Sequence, residues 1–79
     1  MEYSKNKVVV GKKQILRALT ENNVNFIRIA TDTDREYAET ILKMAAAHAV
    51  KVERRGTMSE IAAEYGIDVP SGAVATLKD

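Results

Sequence analysis

A short cluster of cationic and amide side chains near the amino end of the chain is the part of the sequence best suited to chemistry. Lys13, Gln14 and Arg17 follow Gly11 at positions i, i+1 and i+4, which places them together on one face of a helix. The start of a helix offers free backbone N–H groups and the positive end of the helix dipole, so it favours an anion such as phosphate. Cations oppose the dipole in this turn, and a basic first turn therefore favours an external anion. Glutamine and arginine can also hydrogen-bond to base edges.

The residues around this cluster predict a strand that leads directly into a helix. The β-branched run Val8–Val10 is typical of a short buried strand, and Gly11 has no side chain to block a close approach. A helix is predicted over residues 12–21, with an apolar stripe at Ile15, Ala18 and Leu19. Basic helix faces exposed to solvent are also common, so the pattern alone leaves open an interpretation without any bound anion.

Strands and helices alternate along the rest of the chain. Strands are predicted over residues 8–10, 26–30, 51–54 and 73–77, and helices over residues 12–21, 33–48 and 57–65. Thr33 with Glu36 and Thr57 with Glu60 have the spacing of capping boxes, which mark the starts of the second and third helices. Alternation of this kind predicts an α/β fold, a three-layer α/β/α sandwich with helices on both faces of the sheet.

Composition limits the class of protein. The 79 residues fit one domain over residues 1–79, with residues 1–7 as a flexible arm, and a hydrophobic content of 46% is too high for a disordered chain. The formal net charge is only +1, so any surface for nucleic acid must be a local patch. Cysteine is absent, which excludes disulfides and is compatible with the cytoplasmic location that we expect. No apolar run approaches the ~20 residues of a membrane span, and no membrane partner is predicted.

Three segments carry a resemblance to a known family. They are GKKQILRAL at residues 11–19, FIRIATDTD at residues 26–34 and GIDVPSGAVA at residues 66–75. In this order they resemble the motif helix, the second strand with its acidic turn, and the late loop of the kink-turn RNA-binding ribosomal proteins. This is the L-seven-Ae/L-thirty-e superfamily, whose small bacterial members are the most similar. The resemblance covers roughly residues 7–77 and implies a three-layer α/β/α fold with a mixed four-stranded sheet.

The resemblance also implies a function and a set of contacts. It implies a non-catalytic protein, associated with the ribosome, that binds sharply bent RNA built on tandem sheared G·A pairs. Gly11 takes the position of close approach, and Lys13, Gln14 and Arg17 take the positions that enter the widened major groove. Lys12 fills a variable position that can touch phosphate. The late loop would pack under flipped-out bases through Val69, Ser71, Gly72 and Ala73.

The partner expected from this resemblance is structured RNA, either ribosomal RNA or a riboswitch. A regular A-form major groove is too narrow for side chains, so a helix end can enter only where a kink opens it. We expect a monomer with no cofactor, no metal ion and no small-molecule substrate. The alternative is a protein-interaction module that kept the fold without RNA binding, because a fold does not fix a function. The near-neutral charge motivates it, as do Pro70 and Ser71, which stand where the superfamily has small residues.

Two aspartates invite a metal-site interpretation. Asp32 and Asp34 have the spacing that begins a calcium-binding loop, but such a loop needs glycine at its sixth position and glutamate at its twelfth. Tyr37 and Lys43 occupy those positions. The sequence therefore favours helix capping by these aspartates over metal binding.

The remaining polar residues give no sign of an active site. The only histidine, His48, comes late in a predicted helix and has no serine or cysteine near it in the sequence, so a structural role is favoured. No paired carboxylates or nucleophile–base pair have a usable spacing, and no enzyme activity is predicted. Arg54 and Arg55 suit a solvated turn, although they could also extend a basic patch toward RNA phosphates.

Overall fold

The computed structural model describes residues 8–68 and 70–78. The predicted arm at residues 1–7 and the predicted contact at Val69 lie outside them. The described residues form, in chain order, β1 (Val8–Val10), α1 (Lys12–Thr20), β2 (Val24–Ile29), α2 (Arg35–Ala47), β3 (Lys51–Arg54), α3 (Met58–Tyr65) and β4 (Ala73–Leu77). The predicted alternation of strands and helices is confirmed.

The strands of the described residues form one mixed sheet in the order β1-β4-β2-β3. β4 is antiparallel to both of its neighbours, and β2 is parallel to β3. β1, β2 and β3 therefore run in the same direction, and β4 is inserted between β1 and β2 in the opposite direction. We call the end of the sheet where β1, β2 and β3 finish and β4 begins the carboxyl end. All three described helices start at this end, because each follows one of those strands.

Helices cover both faces of the sheet, which confirms the three-layer α/β/α arrangement. α1 and α2 pack on one face around a core that includes Ile15, Leu19, Ile27, Ile29 and Ile41, all completely buried. α3 packs on the other face through Ile61, which contacts Ala30 and Val74. Met58 and Tyr65 are partly buried against this second cluster, as core residues rather than as parts of a site.

The helix starts confirm one predicted capping box and correct the other. At α3 the Thr57 hydroxyl accepts a hydrogen bond from the Glu60 amide at 3.1 Å, and the Glu60 carboxylate accepts one from the Thr57 amide at 2.8 Å. At α2 the predicted box on Thr33 is wrong. The N-cap is Asp34, whose carboxylate accepts from the Tyr37 amide at 3.1 Å. The N-cap lies one residue later than predicted, at Asp34 instead of Thr33, because the aspartate at that position is itself a strong cap.

The element ends shift by one or two residues from the predictions. α1 ends at Thr20 rather than at residue 21, and Asn22 then adopts the left-handed conformation with φ of 54°. β2 begins at Val24 rather than at residue 26, because Val24 pairs with Leu77 before a register shift. β2 ends at Ile29 and α2 at Ala47, each one residue early.

The acidic turn and the histidine have structural roles. The Asp32 carboxylate accepts a hydrogen bond from the Met58 amide at 2.9 Å, so it provides an acceptor for the first backbone amide of α3. His48 Nδ1 lies 3.1 Å from Asn22 Oδ1 and joins the ends of α2 and α1. Among the described residues, no three His, Cys, Asp or Glu side chains are grouped so that they could hold a metal ion. Over the same part of the chain no helix has the length and apolar character needed to span a membrane.

One buried charge lies inside a strand that the sequence presents as mostly apolar. Arg28 on β2 is only 3% exposed, and its Nη1 lies 2.6 Å from Glu64 Oε2 on α3. Its Nε also donates to the Arg55 carbonyl at 3.1 Å. The hydrogen bond and the positive charge of Arg28 hold the pKa of the Glu64 carboxyl below its ordinary value. Arg28 thus fastens α3 and the turn before it to the sheet.

Candidate functional site

The start of α1 has an unusual geometry. Gly11 is its N-cap residue, with φ of 95° and ψ of 153°, a conformation that glycine adopts far more readily than other residues. The Gly11 amide donates to the Ala73 carbonyl at 3.1 Å, and the Gly11 carbonyl accepts the first helical hydrogen bond, from Ile15 at 3.0 Å. Within the described residues no side chain caps this helix. The backbone amides of the first turn therefore have no hydrogen-bond acceptor within the helix, and they point out of its end.

The other described helices start differently. Asp34 caps α2, and Thr57, Glu60 and Asp32 together satisfy the first amides of α3. Carboxylates thus complement the dipole at both of those helix starts. The first turn of α1 has lysines and a glutamine instead, with no acidic residue. The start of α1 is therefore the one among the described helices that has the electrostatic character of an anion site.

The predicted cluster on α1 lies on an exposed face. Lys13, Gln14 and Arg17 are all exposed, and neither α2 nor the late loop covers them. The Arg17 side chain is 78% exposed, and its Nε is 3.8 Å from Glu21 Oε2. Such an exposed pair contributes little to stability, so the guanidinium can be redirected at small cost. Gln14 and Arg17 also border an open groove of about 180 Å³ whose floor includes Val9 and Leu77.

The late loop lies directly beside the start of α1. The Gly11–Ala73 hydrogen bond joins the two segments, and the Ala30 amide donates to the Gly72 carbonyl at 2.8 Å. Ser71, Gly72 and Ala73 are buried, and the Ser71 hydroxyl donates to the Ala73 carbonyl at 2.9 Å. The structure therefore brings these residues next to α1. It buries all three residues, backbone included, so the exposed surface of this segment comes from Pro70.

Tyr37 also belongs to this region, although the sequence pattern gave it no role there. It is half-buried on α2, and a Cβ atom built on Gly72 would lie only 2.8 Å from its Cε1. The Lys12 ammonium is 5.6 Å from the centre of its ring, within the range of a cation–π contact. Burial raises the pKa of the Tyr37 hydroxyl, whereas the neighbouring Lys12 backbone and Ser71 side chain act in the opposite direction. Tyr37 thus contacts both halves of the site. Its position one turn before Ile41, on the buried side of α2, is the sequence signal that could have identified it.

Fold and site together define a small α/β domain with a basic, uncapped helix start beside a buried glycine loop. No family model matches the sequence. The RNA-binding protein YbxF of Geobacillus stearothermophilus is 32% identical over 82 aligned residues, which cover 99% of this chain and 100% of that protein. An RNA-binding protein of Geobacillus thermodenitrificans is 30% identical over 82 residues, with the same coverage. The chain belongs to this L-seven-Ae-type family of RNA-binding proteins.

Solved structures show the same fold at low sequence identity. The 15.5kD RNA binding protein of Giardia lamblia superposes with a TM-score of 0.86 at 16% identity, over 94% of this chain and 62% of that one. A protein of unknown function from Bacillus halodurans also superposes with a TM-score of 0.86, at 12% identity, over 92% of this chain and 73% of that one. At these identities the similarity establishes the architecture alone.

Proposed function

We propose that this protein binds structured RNA, without catalysing a reaction, at the start of α1 and the adjoining late loop. The observation that carries the proposal is the uncapped start of α1, where Lys13, Gln14 and Arg17 stand exposed beside the hydrogen bond from Gly11 to Ala73. Relatives that align along almost the whole chain are named RNA-binding proteins, which supports RNA as the anionic partner.

The RNA that best suits this site is a kink-turn. A helix end can reach base edges only where the major groove is opened, and a kink at tandem sheared G·A pairs opens it. In this arrangement Lys13 and Gln14 enter the groove first, and Arg17, one turn further along, faces a guanine edge. Lys12, held over the Tyr37 ring, contacts a phosphate. Gly11 permits the close approach because nothing lies within 4 Å of the position that its Cβ would occupy.

The late loop completes the proposed site as a rigid surface rather than as a set of flexible side chains. Gly72 and Ala73 are fixed by their hydrogen bonds to Ala30 and Gly11. Flipped-out bases of the RNA bulge can pack on the exposed Pro70, whose ring limits the conformations of the loop further. Since the protein surface is preformed, binding would stabilise the bent conformation, which the free RNA adopts only as a minor population. The proposal includes action as a monomer in the cytoplasm, on ribosomal RNA or a riboswitch.

Calorimetric titration of two related RNAs tests this function. One is a kink-turn, and the other has the same length with its G·A pairs changed to Watson–Crick pairs. We expect the kink-turn to bind more tightly by roughly 1–3 kcal/mol, because the altered RNA keeps its phosphates but loses the open groove. Equal affinity for the two RNAs would rule out recognition of the kink.

A protein-interaction module is the second candidate, and two observations favour it. The net charge is only +1, and the late-loop side chains Ser71 and Ala73 are buried. Partner capture from an extract separates the two candidates. Partners that survive RNase treatment and the substitution Lys13→Ala would support the interaction module, whereas partners lost in both cases would support RNA binding.

A further inference from the structure

The turn after β3 lies at the same end of the sheet as the proposed RNA site. In the strand order β1-β4-β2-β3, α1 starts at β1, the late loop enters β4, and Ala30 follows β2. Arg54 is the last residue of β3. It therefore lies at the carboxyl end of the sheet, on the side of the late loop opposite to the start of α1.

Two hydrogen bonds connect Arg54 to the late loop. Its Nη2 donates to the Ala30 carbonyl at 3.4 Å, and the Ala30 amide donates to the Gly72 carbonyl at 2.8 Å. On the opposite side of the loop, the Gly11 amide donates to the Ala73 carbonyl. The late loop is thus flanked by the basic start of α1 on one side and by the Arg54 guanidinium on the other.

Arg54 differs from the other arginines of the chain in its charge environment. Each of the others has a glutamate within 4 Å: Arg17 with Glu21, Arg28 with Glu64, Arg35 with Glu39, and Arg55 with Glu53. Across residues 8–68 and 70–78, no carboxylate comes within salt-bridge distance of Arg54. Arg54 is also exposed, and its one described hydrogen bond is to a neutral carbonyl.

We propose that Arg54 contacts a second phosphate of the RNA. This phosphate would belong to the part of the RNA backbone that lies on the side of the late loop opposite to α1. This inference rests on the proposed function, because it assumes that RNA occupies the carboxyl end of the sheet. A guanidinium has five N–H donors, and the bond to Ala30 uses one of them. The donors that remain can form a forked pair with one phosphate. A bent RNA brings two backbones close together, and a cation on each side of the loop would lower their repulsion.

The salt dependence of RNA binding tests the contact. Affinity for a kink-turn RNA is measured across a series of salt concentrations for the wild type, for Arg54→Ala and for Lys51→Ala. Lys51 is the matched control because it is exposed on the same strand, at the opposite end of the sheet. We expect Arg54→Ala to bind several-fold more weakly at low salt, and its slope of log K against log salt to shrink by about 0.7–0.9. Lys51→Ala should match the wild type in both quantities.

A further variant of Arg54 distinguishes loss of the RNA contact from loss of protein stability. Arg54→Gln keeps an uncharged polar side chain on an exposed position whose hydrogen bond to Ala30 is already long, at 3.4 Å. It should therefore melt close to the wild type and show the same reduced slope as Arg54→Ala. If both Arg54 variants keep the wild-type slope while Lys13→Ala weakens binding, the Arg54 contact is overturned and the proposed function stands. If the wild-type protein does not distinguish kinked from unkinked RNA, the proposed function fails, and this inference fails with it.

Discussion

Replacing both Lys13 and Arg17 with alanine is expected to weaken binding to kink-turn RNA by about 100-fold. Each side chain lost from a base edge should cost about 1–3 kcal/mol, and 1.4 kcal/mol is a factor of ten. The fold should survive, because both side chains are exposed and the contact between Arg17 and Glu21, at 3.8 Å, is weak. The measurement is a calorimetric titration, with thermal melting to confirm that the free energy of unfolding is unchanged.

The control for this prediction is Lys43→Ala. Lys43 is exposed on α2, and its removal changes the net charge by the same amount as one of the α1 substitutions. We expect its RNA affinity to stay within about 0.5 kcal/mol of the wild type. Arg28 cannot serve as a control, because it is buried in the pair with Glu64 and its loss would disturb the packing of α3. Similar losses for the α1 variants and for Lys43→Ala would indicate unspecific charge attraction instead of a defined site.

Substituting Gly72 with alanine is expected to damage both the fold and the site. The added Cβ would lie 2.8 Å from Tyr37 Cε1 and even closer to Thr33 Oγ1, distances that packed atoms do not adopt. Overpacking of this kind costs about 1–3 kcal/mol. In a domain of this size each kcal/mol lowers the melting temperature by roughly 4–8 °C. Because the displaced loop carries the hydrogen bonds to Ala30 and Gly11, we expect RNA affinity to fall as well.

Two comparison variants separate steric damage from a general glycine effect. Gly66→Ala places a side chain at φ of 68° in open space, so it should cost roughly 1–2 kcal/mol of backbone strain while RNA affinity is retained. Adding Thr33→Ala to Gly72→Ala removes the nearest obstructing atom and should restore part of the stability. A Gly72→Ala protein that melts and binds RNA like the wild type would show that the loop packs differently from the structure.

The sequence predicted those elements whose signals are local and strong. β4 was placed at residues 73–77 because a turn-rich loop precedes an unbroken small and β-branched run, and the start of α3 followed from the threonine–glutamate pair. The start of α2 was misplaced because Thr33 and Asp34 are adjacent and both are good caps. Local preference cannot choose between such neighbours, and tertiary contacts decide. Here Thr33 lies against Gly72 instead.

The long-range features of the site could not be derived from residue spacing. Periodicity gives no strand order, and the resemblance to a known family implied only a mixed four-stranded sheet. The position of β4 between β1 and β2, which brings Ala73 to Gly11, was therefore not predicted. Arg28 interrupts an apolar strand, and nothing in its neighbours shows that a glutamate on α3 will pair with it. Tyr37 contacts residues from two distant segments, and that junction exists only once the sheet has formed.

The most direct measurement of the central claim is a titration of isotope-labelled protein with kink-turn RNA, followed through the backbone amide resonances. We predict that the largest changes occur at Lys12, Lys13 and Gln14 and at the late-loop amides of Gly72 and Ala73, because these line the uncapped start of α1 and its neighbour. Changes concentrated on the exposed surface of α3, with the amides of Lys13 and Gln14 unaffected, would contradict the account.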